Sequence, residues 1–404
     1  VIRRELEDVA RAAARRYPVV TVTGPRQSGK TTLTRAAFPR HRHVSLEDLD
    51  VRERATSDPR GFLEEIRGGA VLDEVQRAPG LLSYLQTEVD ARPVPGRFVL
   101  TGSHHFALSA GIAQSLAGRT AVLHLLPPSL PELRSFPRPP KGLHATLVAG
   151  AYPAIHDKRI APERWLADYF ATYVQRDARQ LLNIGDLSTF TTFVRLCAGR
   201  TAQELNLASL ASDAGVSHPT ARAWLSVLEA SWLVFRVPAW HRNQAKRWVK
   251  APKIHWIDSG LVCHLLGVRD EEQLARHPLR GAVFESWVAS EILKSHLNRG
   301  VEPRLAHARA VRGGEVDLIV EDGARLVVVE CKSGATVHPD AFKPLRGFAK
   351  DAVAGGTAED VELRVVHGGD QTHRHGDVTA LTWNDAATHA WLRAPAAPGR
   401  KRRR

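Results

Sequence analysis

The segment from Val19 to Ala37 constrains the fold more than any other. Val19-Val20-Thr21-Val22-Thr23 is a β-branched run suited to a buried parallel strand. Gly24-Pro25-Arg26-Gln27-Ser28-Gly29-Lys30-Thr31 follows with the spacing G-x-x-x-x-G-K-[ST]. Thr32 to Ala37 continues as a helix until Pro39 stops it. A strand, a glycine loop and a helix N-terminus in this order aim backbone N–H groups and the helix dipole at an anion. For a nucleotide, Lys30 would reach the β- and γ-phosphates and the Thr31 hydroxyl would sit on Mg²⁺. Gly24, Pro25, Arg26, Gln27, Ser28, Gly29 and Thr32 would complete the cradle.

Two later strands end in residues that suit the same chemistry. Gly69-Ala70-Val71-Leu72-Asp73-Glu74 is an apolar run closed by two carboxylates. Asp73 would hold the Mg²⁺ shell, and Glu74 would orient or activate the attacking water. Arg97-Phe98-Val99-Leu100-Thr101-Gly102-Ser103 ends in small polar residues. Ser103 is the candidate for contact with the γ-phosphate or the water. Residues 3–16 read as an amphipathic helix ahead of the first strand, and His43-Val44-Ser45-Leu46 as a further short strand.

Gly24–Thr31, Leu72-Asp73-Glu74 and Leu100-Thr101-Gly102-Ser103 together resemble the AAA+ branch of P-loop ATPases. More narrowly they resemble a prokaryotic ATPase family with a C-terminal region of unknown function. Leu116-Ala117-Gly118-Arg119 and Tyr173-Val174-Gln175-Arg176-Asp177 match that family's pattern. The resemblance implies ATP with Mg²⁺, and a homo-oligomer in which Arg119 reaches a neighbouring subunit's nucleotide. An intramolecular salt bridge is the other reading of Arg119.

Dense proline from Pro127 to Pro140 ends the ATPase core near residue 140. A helical stretch from Pro162 to Leu182 follows. Beyond it, Leu207–Ala211 and Thr220–Leu228, separated by Gly215 and the N-cap candidate Ser217, have the arithmetic of a helix-turn-helix. Trp232–Val237 and Lys253–Ile257 read as the strands of a wing. On a winged helix, His218 and Arg222 would lie on the recognition helix, with Arg242, Lys246, Arg247 and Lys250 tracking phosphates. A lid or interaction module that never touches bases is the alternative.

The helix from Gly281 to Glu291 carries Glu285. Glu315–Val320 and Arg325–Lys332 form a hairpin whose strands alternate sides, with Glu330 and Lys332 on one face. Asp317, Glu330 and Lys332, with Glu285 as the helix acid, resemble the catalytic core of PD-(D/E)xK nucleases. That resemblance implies a restriction-endonuclease-like domain in which Asp317 and Glu330 bind a divalent metal and Lys332 orients water. Cleavage does not follow from the fold. His104, His105, His373 and His375 lack metal-site spacing and read as surface.

The expected architecture is therefore α/β throughout. It comprises an AAA+ core over residues 1–140, a helical and winged-helix domain over 141–275 and a nuclease-like domain over 276–393. A basic, disordered tail would occupy 394–404. A chain of 404 residues is long enough for three cores. Its net charge of +13 favours acidic partners, DNA above all. Three cysteines without C-x-x-C pairing, no apolar run of membrane-spanning length and no secretory signal near the start point to a soluble cytoplasmic protein. The leading expectation is an ATPase that remodels or moves along DNA. The rivals are an ATP-dependent metal nuclease and a nucleotide-gated switch that holds a protein partner.

Overall fold

The computed structural model describes residues 2–103, 115–173, 186–240, 251–309 and 314–393. The chain divides into two compact units, Val1–Val237 with Ala251–Pro303, and Pro238–Lys250 with Arg304–Arg404.

The first unit is built on a five-stranded sheet of β1 (Val19–Thr23), β2 (Arg42–Ser45), β3 (Ala70–Asp73), β4 (Phe98–Gly102) and β5 (Thr120–His124). The strands run parallel in the order β2-β3-β4-β1-β5. Parallel strands need crossover helices, so both sheet faces are covered. Leu6, Ala10 and Leu33 pack with Val20, Val22 and Val71 on one face. Phe62, Leu82 and Leu85 pack with Leu72 and Leu100 on the other. Because β4 lies between β1 and β3, the C-terminal ends of three strands stand side by side. They place Thr23, Asp73 and Gly102 at one rim of the sheet, where α/β proteins bind ligands.

The N-terminal helix spans Leu6–Ala14, shorter than the 3–16 read from its amphipathic pattern. β5 was not legible in the sequence. It is an edge strand with Val122 exposed, so it lacks the fully apolar character of its buried neighbour β1.

Short helices Leu143–Ala149, Pro153–Lys158 and Pro162–Tyr173 continue the first unit; the remainder of the stretch expected to be helical to Leu182 lies outside the described residues. The helix Leu187–Gly199 precedes a pair at Leu207–Asp213 and His218–Ala230, and a three-stranded antiparallel sheet of β6 (Gln203–Glu204), β7 (Val234–Val237) and β8 (Lys253–Trp256). Ser217 caps the second helix of the pair by accepting from Thr220 N at 3.2 Å, with Pro219 in the first turn. Trp224 meets Phe190 and Phe193 edge-on, which fixes that helix to its neighbour.

The helix Arg280–Leu297 also belongs to the first unit. Ser286 Oγ accepts from Trp256 N at 2.8 Å, and Ser290 Oγ donates to Ile257 O at 2.6 Å. The boundary expected between residues 275 and 276 therefore falls inside a compact unit.

The second unit holds a six-stranded sheet in the order β13-β14-β12-β11-β10-β9. Its strands are β9 (Leu305–Arg309), β10 (Glu315–Asp322), β11 (Arg325–Lys332), β12 (Asp360–His367), β13 (His373–His375) and β14 (Val378–Thr382). β9, β10 and β11 pair antiparallel, whereas β11, β12 and β14 pair parallel. Phe342, Leu345 and Phe348 of the helix Phe342–Ala354 cover one face. The hairpin strands β10 and β11 are buried on both faces in their middle, at Leu318–Val320 and Leu326–Val329, rather than exposing one alternating side. His373 and His375 lie on β13 with His375 exposed, and the His373 ring stands 5.3 Å from that of the buried His367. His104 and His105 lie outside the described residues, as does the tail from 394.

Candidate nucleotide-binding site

The loop after β1 has the backbone that its glycines permit. Gly24 has φ 152°, and a Cβ on it would meet Leu125 O at 2.1 Å. Gly29 caps the helix Lys30–Ala37 in the left-handed conformation, at φ 95°. Gln27 also has positive φ, at 62°, which a non-glycine residue adopts only under surrounding constraint. Lys30 is buried, and its Nζ donates to Gly24 O at 3.1 Å and Pro25 O at 2.8 Å.

Thr31 Oγ1 donates to Asp73 Oδ2 at 2.7 Å, joining the first helical turn to the end of β3. Thr101 on β4 donates its hydroxyl to the other Asp73 oxygen and accepts from Glu74 N at 3.3 Å. Glu74 stands in the left-handed region at φ 57°, a strained placement for a residue other than glycine. Ser103 Oγ donates to Glu74 Oε1 at 2.7 Å, and Gln76 Nε2 donates to Glu74 Oε2. Burial pushes the Glu74 carboxyl up. The Lys30 charge, the hydrogen bonds from Ser103 and Gln76, and the Arg26 charge together outweigh it and hold the group below its ordinary range.

These residues open onto a cleft of about 430 Å³. Arg26, Gln27, Ser28, Gly29, Lys30, Thr31, Thr32, Glu74 and Ser103 line it, whereas Gly24, Pro25 and Asp73 do not. Its remaining wall was not legible. Arg4 comes from before the first strand, Phe136 from within the proline-rich stretch, and Asp157 and Lys158 from beyond it. Thr101 was also missed as a site residue, although a hydroxyl two positions before Ser103 at a strand end was a readable signal. Thr31 and Asp73 offer hard oxygen donors a hydrogen bond apart, a set that suits Mg²⁺.

Arg119 lies away from this cleft. It grips both oxygens of Asp90, through Nε to Oδ1 at 2.5 Å and NH2 to Oδ2 at 2.8 Å. That pair, which raises the Arg119 pKa and lowers that of Asp90, is the intramolecular salt bridge.

The residues expected to form a second metal site are brought together only in part. The register of β10 against β9 shifts between Val316 and Ile319, and Asp317 lies in that shift, its Oδ2 accepting from Cys331 N at 2.8 Å. Lys332 Nζ donates to Glu330 Oε1 at 2.5 Å. Burial lowers the Lys332 pKa, but Glu330 and Asp317 outweigh that and raise it. Glu285 belongs to the other unit, where it pairs with the buried Lys253 at 2.8 Å. The described residues contain no group of three or more His, Cys, Asp or Glu able to hold a metal.

His218 and Arg222 are exposed on the helix His218–Ala230. Arg242, Lys246, Arg247 and Lys250 lie outside the described residues. No helix among the described residues is long and apolar enough to cross a membrane.

Residues 16–134 match a family described as AAA domain. Residues 140–272 and 280–385 match two domains of unknown function, DUF8612 and DUF4143. Two proteins described as uncharacterized, from Mycobacterium tuberculosis and Mycobacterium bovis, are each 30% identical over 353 residues, covering 86% of this chain and 77% of theirs. A solved Walker-type ATPase of Pyrococcus abyssi is 13% identical with a TM-score of 0.44, covering 65% of this chain and 94% of that one. A signal-transduction ATPase with a tetratricopeptide repeat sensor from Pyrococcus horikoshii is 14% identical with a TM-score of 0.20, covering 74% and 47%. Matched to the mycobacterial proteins along most of both chains, and carrying its phosphate loop within an AAA domain, the chain belongs to their family, an AAA-type P-loop ATPase family with two further domains of unknown function.

Proposed function

We propose that the chain binds ATP with Mg²⁺ at Gly24–Thr31 and hydrolyses it, and that as a homo-oligomer it uses the nucleotide cycle to remodel or move along DNA. The observation that carries the hydrolysis half is the convergence of Lys30, Thr31, Glu74 and Ser103 on one cleft, with Asp73 hydrogen-bonded to Thr31. Thr31 and Asp73 would hold Mg²⁺, which when bound neutralises charge on the phosphate oxygens. Lys30 exchanges its own loop carbonyls for phosphate oxygens. Glu74, kept ionised and aimed by Ser103 and Gln76, takes the role of orienting water and accepting its proton.

DNA engagement is supported by the net charge of +13 and by the helix pair followed by a small antiparallel sheet, which we read as a winged helix. His218 and Arg222 stand exposed at the start of its second helix. The test is the ATPase rate with and without duplex, single-stranded and four-way-junction DNA, with Lys30→Ala as control. Stimulation by one DNA form is expected. A rate unmoved by every form, with no gel-shift at low salt, would sink the DNA half and favour a nucleotide-gated switch for a protein partner. For an Arg119 that acts on a neighbour's nucleotide, the Asp90 pair must open, so assembly measured by sedimentation should depend on ATP.

A second reading is a metal-dependent nuclease, favoured by Asp317, Glu330 and Lys332 lying close on one sheet. It requires Mg²⁺- or Mn²⁺-dependent cutting that Glu330→Ala and Lys332→Ala abolish.

A further inference from the structure

Arg4 lies outside the residues matched by the AAA domain, yet its side chain is 6% exposed and sits against the phosphate loop. Its NH1 donates to Ser28 O at 2.9 Å, its NH2 donates to Leu126 O at 2.8 Å, and its Nε lies 3.0 Å from Glu132 Oε1. In a trans peptide the C=O and the following N–H point in opposite directions. Arg4 pulls the Ser28 carbonyl toward itself, so the Gly29 N–H is turned the other way. Ser28 and Gly29 both line the cleft.

Arg4 is itself held. Glu132 is 3% exposed and accepts from Glu5 N at 2.8 Å and Ser129 N at 2.9 Å, so its geometry is locked by backbone on both sides. The same turn is also gripped by the helix Arg280–Leu297. Leu130 N donates to Glu291 Oε2 at 2.7 Å, and Lys294 Nζ donates to Pro128 O at 3.2 Å and to Glu291 Oε1 at 2.8 Å. Glu291 and Lys294 are nearly inaccessible, at 4% and 3%, and neither lines the cleft. Glu132, Glu291 and Lys294 each hold at least two polar partners, so displacing any of them leaves a buried charge unpaired in a low-dielectric interior.

We propose that Arg4 is a positioning residue for the phosphate loop, aiming the Gly29 N–H at the bound phosphate, and that Glu291 and Lys294 of the 280–297 helix hold the turn against which Arg4 is braced. The proposal rests on the ATP reading of the loop. It gives the first helix of the second domain of unknown function a direct part in nucleotide affinity, without contact to the nucleotide.

The test is equilibrium binding of a fluorescent ADP analogue with Mg²⁺ to the full chain, beside kcat and KM for ATP. Arg4→Lys keeps the charge opposite Glu132, but one ammonium nitrogen cannot bridge Glu132, Ser28 and Leu126 together. We expect about tenfold weaker binding, the loss of one charge-assisted hydrogen bond, with KM raised more than kcat is lowered. The double variant Glu291→Gln, Lys294→Met should weaken binding in the same direction. If Arg4→Lys fails to fold by circular dichroism, Arg4→Met with Glu132→Gln removes both charges and carries the same expectation. Unchanged affinity in the Arg4 variant would overturn the proposal, and unchanged affinity in the 291/294 variant would remove the helix from it. If wild type and Lys30→Ala bind equally, the ATP reading of the loop fails, and the proposal with it.

Discussion

Glu74 shows how much one side chain depends on its surroundings. It ends an apolar strand, yet its carboxylate faces the cleft because the residue is held at positive φ and anchored by Ser103 and Gln76. Glu74→Gln keeps shape and hydrogen-bonding capacity but cannot accept a proton. We expect hydrolysis to fall about 10²–10⁴-fold with little change in nucleotide affinity, read by single-turnover kinetics beside equilibrium binding. Equal losses in both would mean that Glu74 holds the loop rather than the water. The sign of its pH dependence follows from a depressed pKa. Glu74 stays ionised down to and below the ordinary carboxylate value of about 4.3, so the acid limb of kcat should lie below that pH.

Glu132 carries the same sign into stability. Burial raises its pKa, but the Arg4 charge and hydrogen bonds outweigh it and leave the group lowered. A lowered carboxyl favours the fold above its unfolded value, and that contribution disappears as pH falls through the folded value. The difference in melting temperature between wild type and Glu132→Gln should therefore be full at pH 7 and shrink below about pH 4.3. A difference that persists at pH 3 would assign the effect to packing rather than charge. At this scale the motif residues were readable because each belongs to a short local pattern. Arg4 was not singled out, because its role is set by what the fold brings beside it.

Among elements, the glycine loop is the least tolerant of change. Gly24→Ala drives a Cβ into Leu125 O, 2.1 Å away, at a backbone angle that alone costs roughly 1–3 kcal/mol. A clear drop in melting temperature together with lost nucleotide binding is expected, and a stable variant that binds normally would show that the backbone at Leu125 can give way. The helix His218–Ala230 offers a milder test. Ser217→Ala removes its N-cap and should cost about 1 kcal/mol in chemical denaturation, whereas the exposed Arg222→Ala should leave stability unchanged and weaken only DNA binding. Loss of stability in the Arg222 variant would make it a structural residue. Helix ends here were legible from caps and prolines. The edge strand β5 was not, because an edge strand with one face half exposed lacks a strong apolar period.

For the whole molecule, two compact units imply two cooperative transitions rather than one. In calorimetry, Mg²⁺ with ADP should raise only the transition of the unit that carries the phosphate loop, by about 2.7 kcal/mol at a hundredfold excess over Kd. A single transition that moves as a whole would mean that the units unfold together. The chain path also crosses these units. Pro238–Lys250 belongs with Arg304–Arg404, and the helix bearing Glu285 belongs with the phosphate-loop unit, paired to Lys253. No linear reading of composition or proline content anticipates that exchange, because it depends on which buried partners the segments find.

The sequence by itself determined the α/β class, the strand–loop–helix that binds phosphate, and the acidic strand end at Asp73 and Glu74. All three rest on spacings of a few residues, where chain connectivity leaves little conformational choice. The tertiary structure alone decided the strand order that brings β3 and β4 beside β1, the far wall of the cleft, and the bracing of Ser28 by Arg4. It also decided that Arg119 turns to Asp90 and that Glu285 turns to Lys253. Those outcomes join residues tens to hundreds of positions apart. They are settled by which charges can be buried in pairs and which apolar faces can be covered, and both are properties of the packed chain.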